Sequence, residues 1–384
     1  MACLKAVPLR LRAVTTSKKA AETSSKSTQN VFERLPTEIL VKILSHLDAS
    51  ALFSISHITK LFHQLASNKN LRVTWELTVT DKAGRESTLE LSWSQFSETS
   101  LTLCWCGGDC LPNYEQISSL QLHGVRRFAL SRPSLKKPGR RSLMENLDMR
   151  SLTKSTQVIG QDQLVQLKLL QPGIIIGLWR DQGSVAFIMF TLHFYKLVER
   201  STQGSSDCSH VEPVIQPPFD DIDSEYGLHG YQLHIVLHNT VCKFMSESFS
   251  QLFCRRAHIS DGFIMLTAIS RTNASQHIQL SGSITMPWRC EALEGAVENC
   301  CIMSLTLLDE FRQPFICISS PVSVELEKVD VSYDYDGEHY LIHYKDSDIQ
   351  VKMQLAKMKK RQTVISLIVN VSVCIVNKHF SRGY

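Results

Sequence analysis

The sequence has no apolar run long enough to cross a membrane as a helix. Its most apolar stretch, TVISLIVNVSVCIVN from Thr363 to Asn377, falls short of the ~18 residues that begin to suggest such a span. Asn370 interrupts it, and its Val and Ile content favours a buried strand. A charge excess is missing too: 41 Lys and Arg stand against 37 Asp and Glu, a net +4. No concentrated basic reading element accompanies that small excess, so nucleic acid is not an expected partner. Cysteine is sparse: twelve in 384 residues do not make a disulfide scaffold. With no secretory apolar segment ahead of them, reduced thiols in the cytosol or nucleus are expected. The glycosylation tripeptides at Asn273 and Asn370 would then meet no acceptor machinery.

Motifs for chemistry are equally scarce. No Gly-rich phosphate loop, nucleophile elbow or H-E-x-x-H occurs. Cys104, Cys106 and Cys110 form C-x-C-x3-C around Gly107-Gly108, with His123 as the nearest fourth zinc ligand. Without paired C-x-x-C knuckles, buried inert thiols are the expectation. His234 and His238 share a strand face but lie ~13 Å apart at normal strand rise, too far to hold one ion. With His229 they read as half-exposed strand histidines. Cys300-Cys301 reads as one thiol facing in and one facing out on a strand. No catalytic residue, cofactor or metal is expected.

What is present divides unevenly. Residues 1–30 are rich in Ser, Thr, Lys and Ala, with Glu22 the lone acid, and read as a disordered tail. From Glu86 onward strand follows strand, as in STLELSW, SLTLCWC, GIIIGLW, SVAFIMFTLHFYKLV, YQLHIVLH and HYLIHYKD. No helical segment intervenes, which favours an antiparallel sandwich or barrel. Two stretches break the pattern, near 126–154 (basic, containing KKPGRR) and 201–229 (polar, then acidic). Both read as long exposed loops.

Between tail and strands lies RLPTEILVKILSHLDASALFSISHITKLFHQLASNKNLRVTW, Arg34 to Trp75. Three helical patterns occupy it. Pro36 suits a first helical position, Glu38 suits the positive end of the helix dipole, and Leu35, Ile39, Leu40, Ile43, Leu44 and Leu47 form a broad apolar stripe. Asp48 caps a second short helix bearing Leu52 and Ile55, and Ile58, Leu61, Phe62 and Leu65 follow. Three helices this small cannot bury so much apolar surface among themselves. At ~1.5–3 kcal/mol per fully buried side chain, the exposed remainder needs another surface, either the β domain or a partner.

Leu35-Pro36-x-Glu38-Ile39-Leu40, then Ile43-Leu44, Leu47 and two further short helices, resembles an F-box. GIIIGLW (173–179), LHFYKLVERSTQGS (192–205), EYGLHGYQLH (225–234) and LLDEFRQPFICISSPV (307–322) extend the resemblance within that family across most of the chain. The resemblance implies the substrate-recognition subunit of an SCF-type ubiquitin ligase. Such a subunit is not an enzyme. It binds a Skp-family adaptor and, through it, a cullin and a RING protein, and it brings a protein substrate to the ligase. F-boxes usually close with Trp soon after the third helix. Val73 stands at that place here and Trp75 two residues later, and either is a candidate for the role.

The expected fold class is α+β: a three-helix F-box at 31–76, a short linker at 77–86, and a large antiparallel β-sandwich-like or barrel-like domain at 87–384. The expected adaptor contacts are Leu35, Pro36, Ile39, Leu40, Ile43, Leu44, Leu47, Leu52, Ile55, Ile58 and Phe62, closed by Val73 or Trp75. Substrate contact is expected on PPFDDIDSEYGLHGY (217–231), through Phe219, Asp220, Asp221, Asp223, Glu225, Tyr226 and Tyr231, because loops on a rigid scaffold and exposed aromatics concentrate binding energy. A solvated acidic connection is the competing reading of that segment. The competing function is a β-domain scaffold or enzyme whose helices are merely its own core.

Overall fold

The computed structural model describes residues 37–44, 73–106, 111–126, 140–152, 156–196, 226–255, 259–290, 293–327, 335, 337–358 and 361–380. The chain is mostly β-strand. Helix α1 (Thr37–Leu44) stands ahead of ten strands. They are β1 (Val73–Asp81), β2 (Glu86–Glu90), β3 (Trp93–Phe96), β4 (Ser100–Cys106), β5 (Ile117–Arg126), β6 (Arg140–Asp148), β7 (Gln157–Gln161), β8 (Val165–Gln171), β9 (Ile174–Trp179) and β10 (Val185–His193). They pair antiparallel in two sheets, ordered β2-β1-β5-β6 and β3-β4-β10-β9-β8-β7. A one-turn helix, α2 (Met149–Leu152), follows β6.

The second half holds β11 (Tyr226–His238), β12 (Lys243–Arg255), β13 (Phe263–Ile269), β14 (Ile278–Gln279), β15 (Thr285–Cys290), β16 (Leu293–Glu298), β17 (Cys300–Leu308), β18 (Pro314–Leu326), β19 (Glu338–Lys345), β20 (Ile349–Met358), β21 (Arg361–Ser372) and the C-terminal helix α3 (Val373–Phe380). The sheet order here is β12-β11-β17-β18-β19-β20-β21-β13, with β14 also on β21. Its end strands β12 and β13 lie side by side, so the sheet nearly closes into a barrel. Hairpin β15–β16 stands apart as a two-stranded sheet.

The alternation in the sequence explains the barrel. Tyr231, Leu233, Ile235 and Leu237 on β11, Cys301, Met303, Leu305 and Leu307 on β17, and Ile349, Val351, Met353 and Leu355 on β20 all enter one core. Period-two patterning sends every second residue to the same side. The continuous runs have a different cause. In β9 and β10, Ile174–Leu178 and Val185–Thr191 are buried without a break, because their sheet is covered twice. Trp105, Ile176, Ile188 and Phe190 face the β1–β5 sheet. Cys104, Ile175, Phe187 and Met189 face Met286, Trp288 and Val297 of the hairpin. A strand buried on both faces needs no polar alternation.

Three expectations change. Residues 77–86 are not a linker: Trp75, Leu77 and Val79 alternate into the core, and β1 pairs with both β2 and β5. The stretch near 126–154 is not all loop, since 140–148 form β6 on β5. Its buried Met144 and Leu147 lie three apart, a spacing that hides a strand, and a register shift opposite Leu122 and His123 accommodates it. The C-terminal apolar run is strand only to Ser372, where helix α3 takes over. Residues 1–30 and 201–225, and helices two and three of the expected F-box, lie outside the described residues.

Candidate partner-binding site

Helix α1 divides its apolar residues between two faces. Leu40 and Leu44 are 2% exposed, while Ile39 and Ile43 are 46% and 41% exposed. Each pair is spaced i, i+4, so each forms a ridge on one side of the helix. The exposed pair is a short apolar ridge facing solvent. Leu35, Pro36, Leu47, Leu52, Ile55, Ile58 and Phe62 lie outside the described residues. Val73 opens β1 opposite Arg126. Trp75 is 6% exposed and packs in the sandwich core. Its strand has claimed it, which removes it from an exposed adaptor patch.

Of the expected substrate contacts, Phe219, Asp220, Asp221, Asp223 and Glu225 lie outside the described residues. Tyr226 begins β11 opposite Arg255. Tyr231 is 0% exposed in the barrel core, with ring centroids 6.0 Å from Phe315 and 6.3 Å from Phe380. It is a core residue, not a loop contact. Its place in the alternation with Leu233 and Ile235 was the available signal.

The thiols and histidines bear on the enzyme alternative. His123 lies on β5 opposite Glu76, in a different sheet from Cys104 and Cys106. Among the described residues no cluster of three metal-ligating side chains could hold an ion. Burial raises the Cys104 thiol well above its usual range, with Cys106 and Cys290 adding to the effect. Cys300 and Cys301 do take opposite faces, yet both are buried, one against the hairpin and one in the barrel. Burial pushes Cys300 up to about 12 and Cys301 well above its usual range, so neither is a thiolate nucleophile at neutral pH.

His234 contacts Ser248 Oγ through Nδ1 at 2.8 Å near the surface. His238 is not half-exposed but buried, in a polar seam where the outer face of the barrel meets the β4–β10 face. Its Nε2 is 3.2 Å from Ser304 Oγ and 3.4 Å from Ser100 Oγ, and its Nδ1 is 3.1 Å from Asn239 O. A carbonyl at Nδ1 calls for a proton there, leaving Nε2 to accept from a hydroxyl. Ser304 Oγ also meets Ser319 Oγ at 2.9 Å, and His193 Nε2 meets Thr306 Oγ1 at 2.9 Å. Burial lowers both imidazoles, that of His193 to about 3.

A serine beside a neutral histidine is the raw material of a nucleophile and its base. Here Ser100 and Ser304 are fully buried, so a substrate has no route to them. The described hydrogen bonds of His238 include no carboxylate. The seam joins two sheets through paired polar side chains, with His193 Nδ1 left unpaired among the described residues. Sequence reasoning passed over the partly open surface beside the hairpin, lined by Trp93, Val241, Pro287, Trp288, Arg289 and Glu294. The Pro287-Trp288-Arg289 triplet was its one visible signal.

Comparison with known proteins converges on one family. A family model described as F-box-like matches residues 32–72, which include α1. The chain is 32% identical over 316 residues to F-box only protein 15 of Macaca fascicularis, covering 81% of this chain and 72% of that protein. It is 32% identical over 316 residues to F-box only protein 15 of Homo sapiens, covering 81% of this chain but 61% of the human protein's length. The Mus musculus F-box only protein 15 is 29% identical over 357 residues, covering 90% of this chain and 81% of its own. On these matches, with an F-box-like segment set ahead of a large β domain, the chain belongs to the F-box protein family, alongside F-box only protein 15.

Proposed function

We propose that this chain is a non-catalytic substrate receptor of an SCF-type ubiquitin ligase. Its F-box segment binds a Skp-family adaptor, which links it to a cullin and a RING protein. Its β domain holds a protein substrate. The observation that carries the reading is the solvent-facing ridge of Ile39 and Ile43 inside the segment matched by the F-box-like model. An eight-residue helix is too short to persist alone in water, and an apolar ridge on it favours a covering partner. Leu35, Pro36, Leu47, Leu52, Ile55, Ile58, Phe62 and Val73 complete the proposed adaptor surface. The chain's role in transfer is proximity, which makes the attack on the ubiquitin thioester effectively intramolecular. The sealed Ser100–His238–Ser304 contacts favour this reading over an enzyme. The cytosol or nucleus is the proposed compartment. The acidic stretch Phe219, Asp220, Asp221, Asp223 and Glu225, with Tyr226, is one proposed substrate contact, and deleting 217–226 tests it by proximity labelling. The receptor reading is tested by mixing purified chain with Skp adaptor on a sizing column. Co-elution as one species is expected. A monodisperse chain that elutes apart from the adaptor contradicts it.

A further inference from the structure

Strand β3 ends the β3-β4-β10-β9-β8-β7 sheet, and no described strand pairs with its outer side. The direction of its main-chain groups follows from the turn after it. Ser97 N donates to Ser100 O at 2.9 Å, so Ser97 and Ser100 form a hydrogen-bonded pair. Stepping back by two makes Gln95 and Trp93 the bonded positions, opposite Thr102 and Cys104. The N–H and C=O groups of Ser94 and Phe96 therefore point away from β4, where the Gln95 side chain, which an added strand would displace, donates to Phe96 O at 3.3 Å. Phe96 is 56% exposed. Such an edge accepts one more strand, and its four-residue length limits self-association.

At the start of this edge lies a groove of about 820 Å³, floored by Trp93, Pro287 and Trp288 and walled by Val241. The wall is pre-built. Asn239 Nδ2 donates to Thr285 O at 2.8 Å, its Oδ1 receives the N–H groups of Val241 and Cys242 at 2.7 Å each, and Thr240 Oγ1 donates to Pro287 O at 3.2 Å. A wall already ordered loses little entropy when a ligand arrives. The floor is equally constrained. A Cβ on Gly295 would lie 2.7 Å from the Trp288 ring and 2.8 Å from Asp162 Oδ2, the oxygen that receives Trp288 Nε1.

Charge says what fits. Arg289 and Glu294 sit opposite one another in the β15–β16 register at the lip of this groove. Both are exposed, and among the described residues neither forms an ion pair. The lip thus offers one positive and one negative position beside an apolar floor.

We propose that the outer edge of β3 and the adjoining groove bind an extended peptide segment of a protein substrate. The segment adds to β3 as a strand, seats an apolar side chain in the groove, and carries an acidic residue for Arg289 and a basic residue for Glu294. Main-chain pairing supplies affinity, while the groove and the two charges supply specificity. That the bound protein is then ubiquitinated rests on the receptor reading; the peptide site itself does not.

The test pans a displayed library of short linear peptides on the full chain, alone and in complex with Skp adaptor. Selected sequences should share an apolar residue flanked by an acid and a base. The tightest one is then measured against three variants. Ser94→Pro removes an outward N–H and spares the ladder to β4. Arg289→Glu should weaken binding about tenfold, and Ser94→Pro at least as much. Arg289→Glu combined with Glu294→Arg should regain binding only to the peptide with its two charges exchanged. The charge variants alter exposed side chains, so an unchanged melting temperature certifies the fold. If no peptide is selected, or if all three variants bind the original peptide as wild type does, the proposal is overturned. Peptide binding without adaptor capture keeps the groove and sinks the receptor reading. Adaptor capture without peptide binding does the reverse.

Discussion

Helix α1 and strand β17 handle similar residues in opposite ways. The helix buries Leu40 and Leu44 and leaves Ile39 and Ile43 in solvent. The strand buries every residue from Cys300 to Leu307, odd ones in the barrel and even ones against the neighbouring sheet and hairpin. On β17 each apolar face already has a cover within the chain. On the helix the ridge of Ile39 and Ile43 has none among the described residues. Strand β17 has the character of a finished core, and the exposed ridge of α1 that of a surface open to a partner.

The comparison can be pressed hardest at a residue the β body fully covers. Phe187 is buried, stacks on Trp288 at 6.3 Å and touches Gly177. Phe187→Ala should cost about 3–5 kcal/mol in denaturant unfolding, from lost transfer energy plus the cavity left behind. A cost near that of an exposed substitution would show the hairpin cover to be loose.

Gly295→Ala asks for the opposite change at the same cover. Its new Cβ meets the Trp288 ring and Asp162, so overpacking should cost about 1–3 kcal/mol and shift the tryptophan emission. An unchanged unfolding midpoint would mean that the hairpin yields freely.

The polar seam sharpens the comparison through pH. His193 and His238 are held neutral by burial, the nearby charges of Lys196 and Lys243 respectively adding to the effect. A histidine depressed in the fold binds its proton more readily in the unfolded chain. Its stabilising contribution is therefore complete above the unfolded value of ~6.5 and is lost as pH falls from there toward the folded value. For His193 that window reaches down to about 3. Each histidine should steepen the loss by at most ~1.4 kcal/mol per pH unit. Unfolding curves between these limits should flatten in His193→Gln; identical pH dependence in the variant would remove His193 from the seam's energetics.

Much of the fold was legible in residue order. The runs YQLHIVLH and HYLIHYKD marked β11 and β19, and unbroken apolar runs marked the doubly covered β9 and β10, while the alternation of β20 went unread. What misled was competition between two readings of one segment. Trp75, Leu77 and Val79 alternate as a strand should, yet Trp75, two residues past the place where an F-box closes, was also a candidate for that role, and the strand holds it. Strand β6 hid behind a register shift, which no periodicity reveals. Tyr231 read as a loop aromatic because acidic residues precede it, although its own spacing belonged to β11. The groove residues were beyond sequence reasoning for a plainer reason. Trp93, Val241 and Trp288 lie on separate strands and turns, and only the packing of the hairpin against β3 brings them together.

The proposed receptor role makes the ridge of Ile39 and Ile43 half of an interface that the adaptor completes. Calorimetric titration of Skp adaptor into the full chain and into Ile39→Asp with Ile43→Asp tests it directly. Both positions are substantially exposed, so the free variant should stay folded, while a buried carboxylate at the interface should weaken binding by at least about a hundredfold. A variant that is folded and binds the adaptor as tightly as the wild-type chain would contradict the claim.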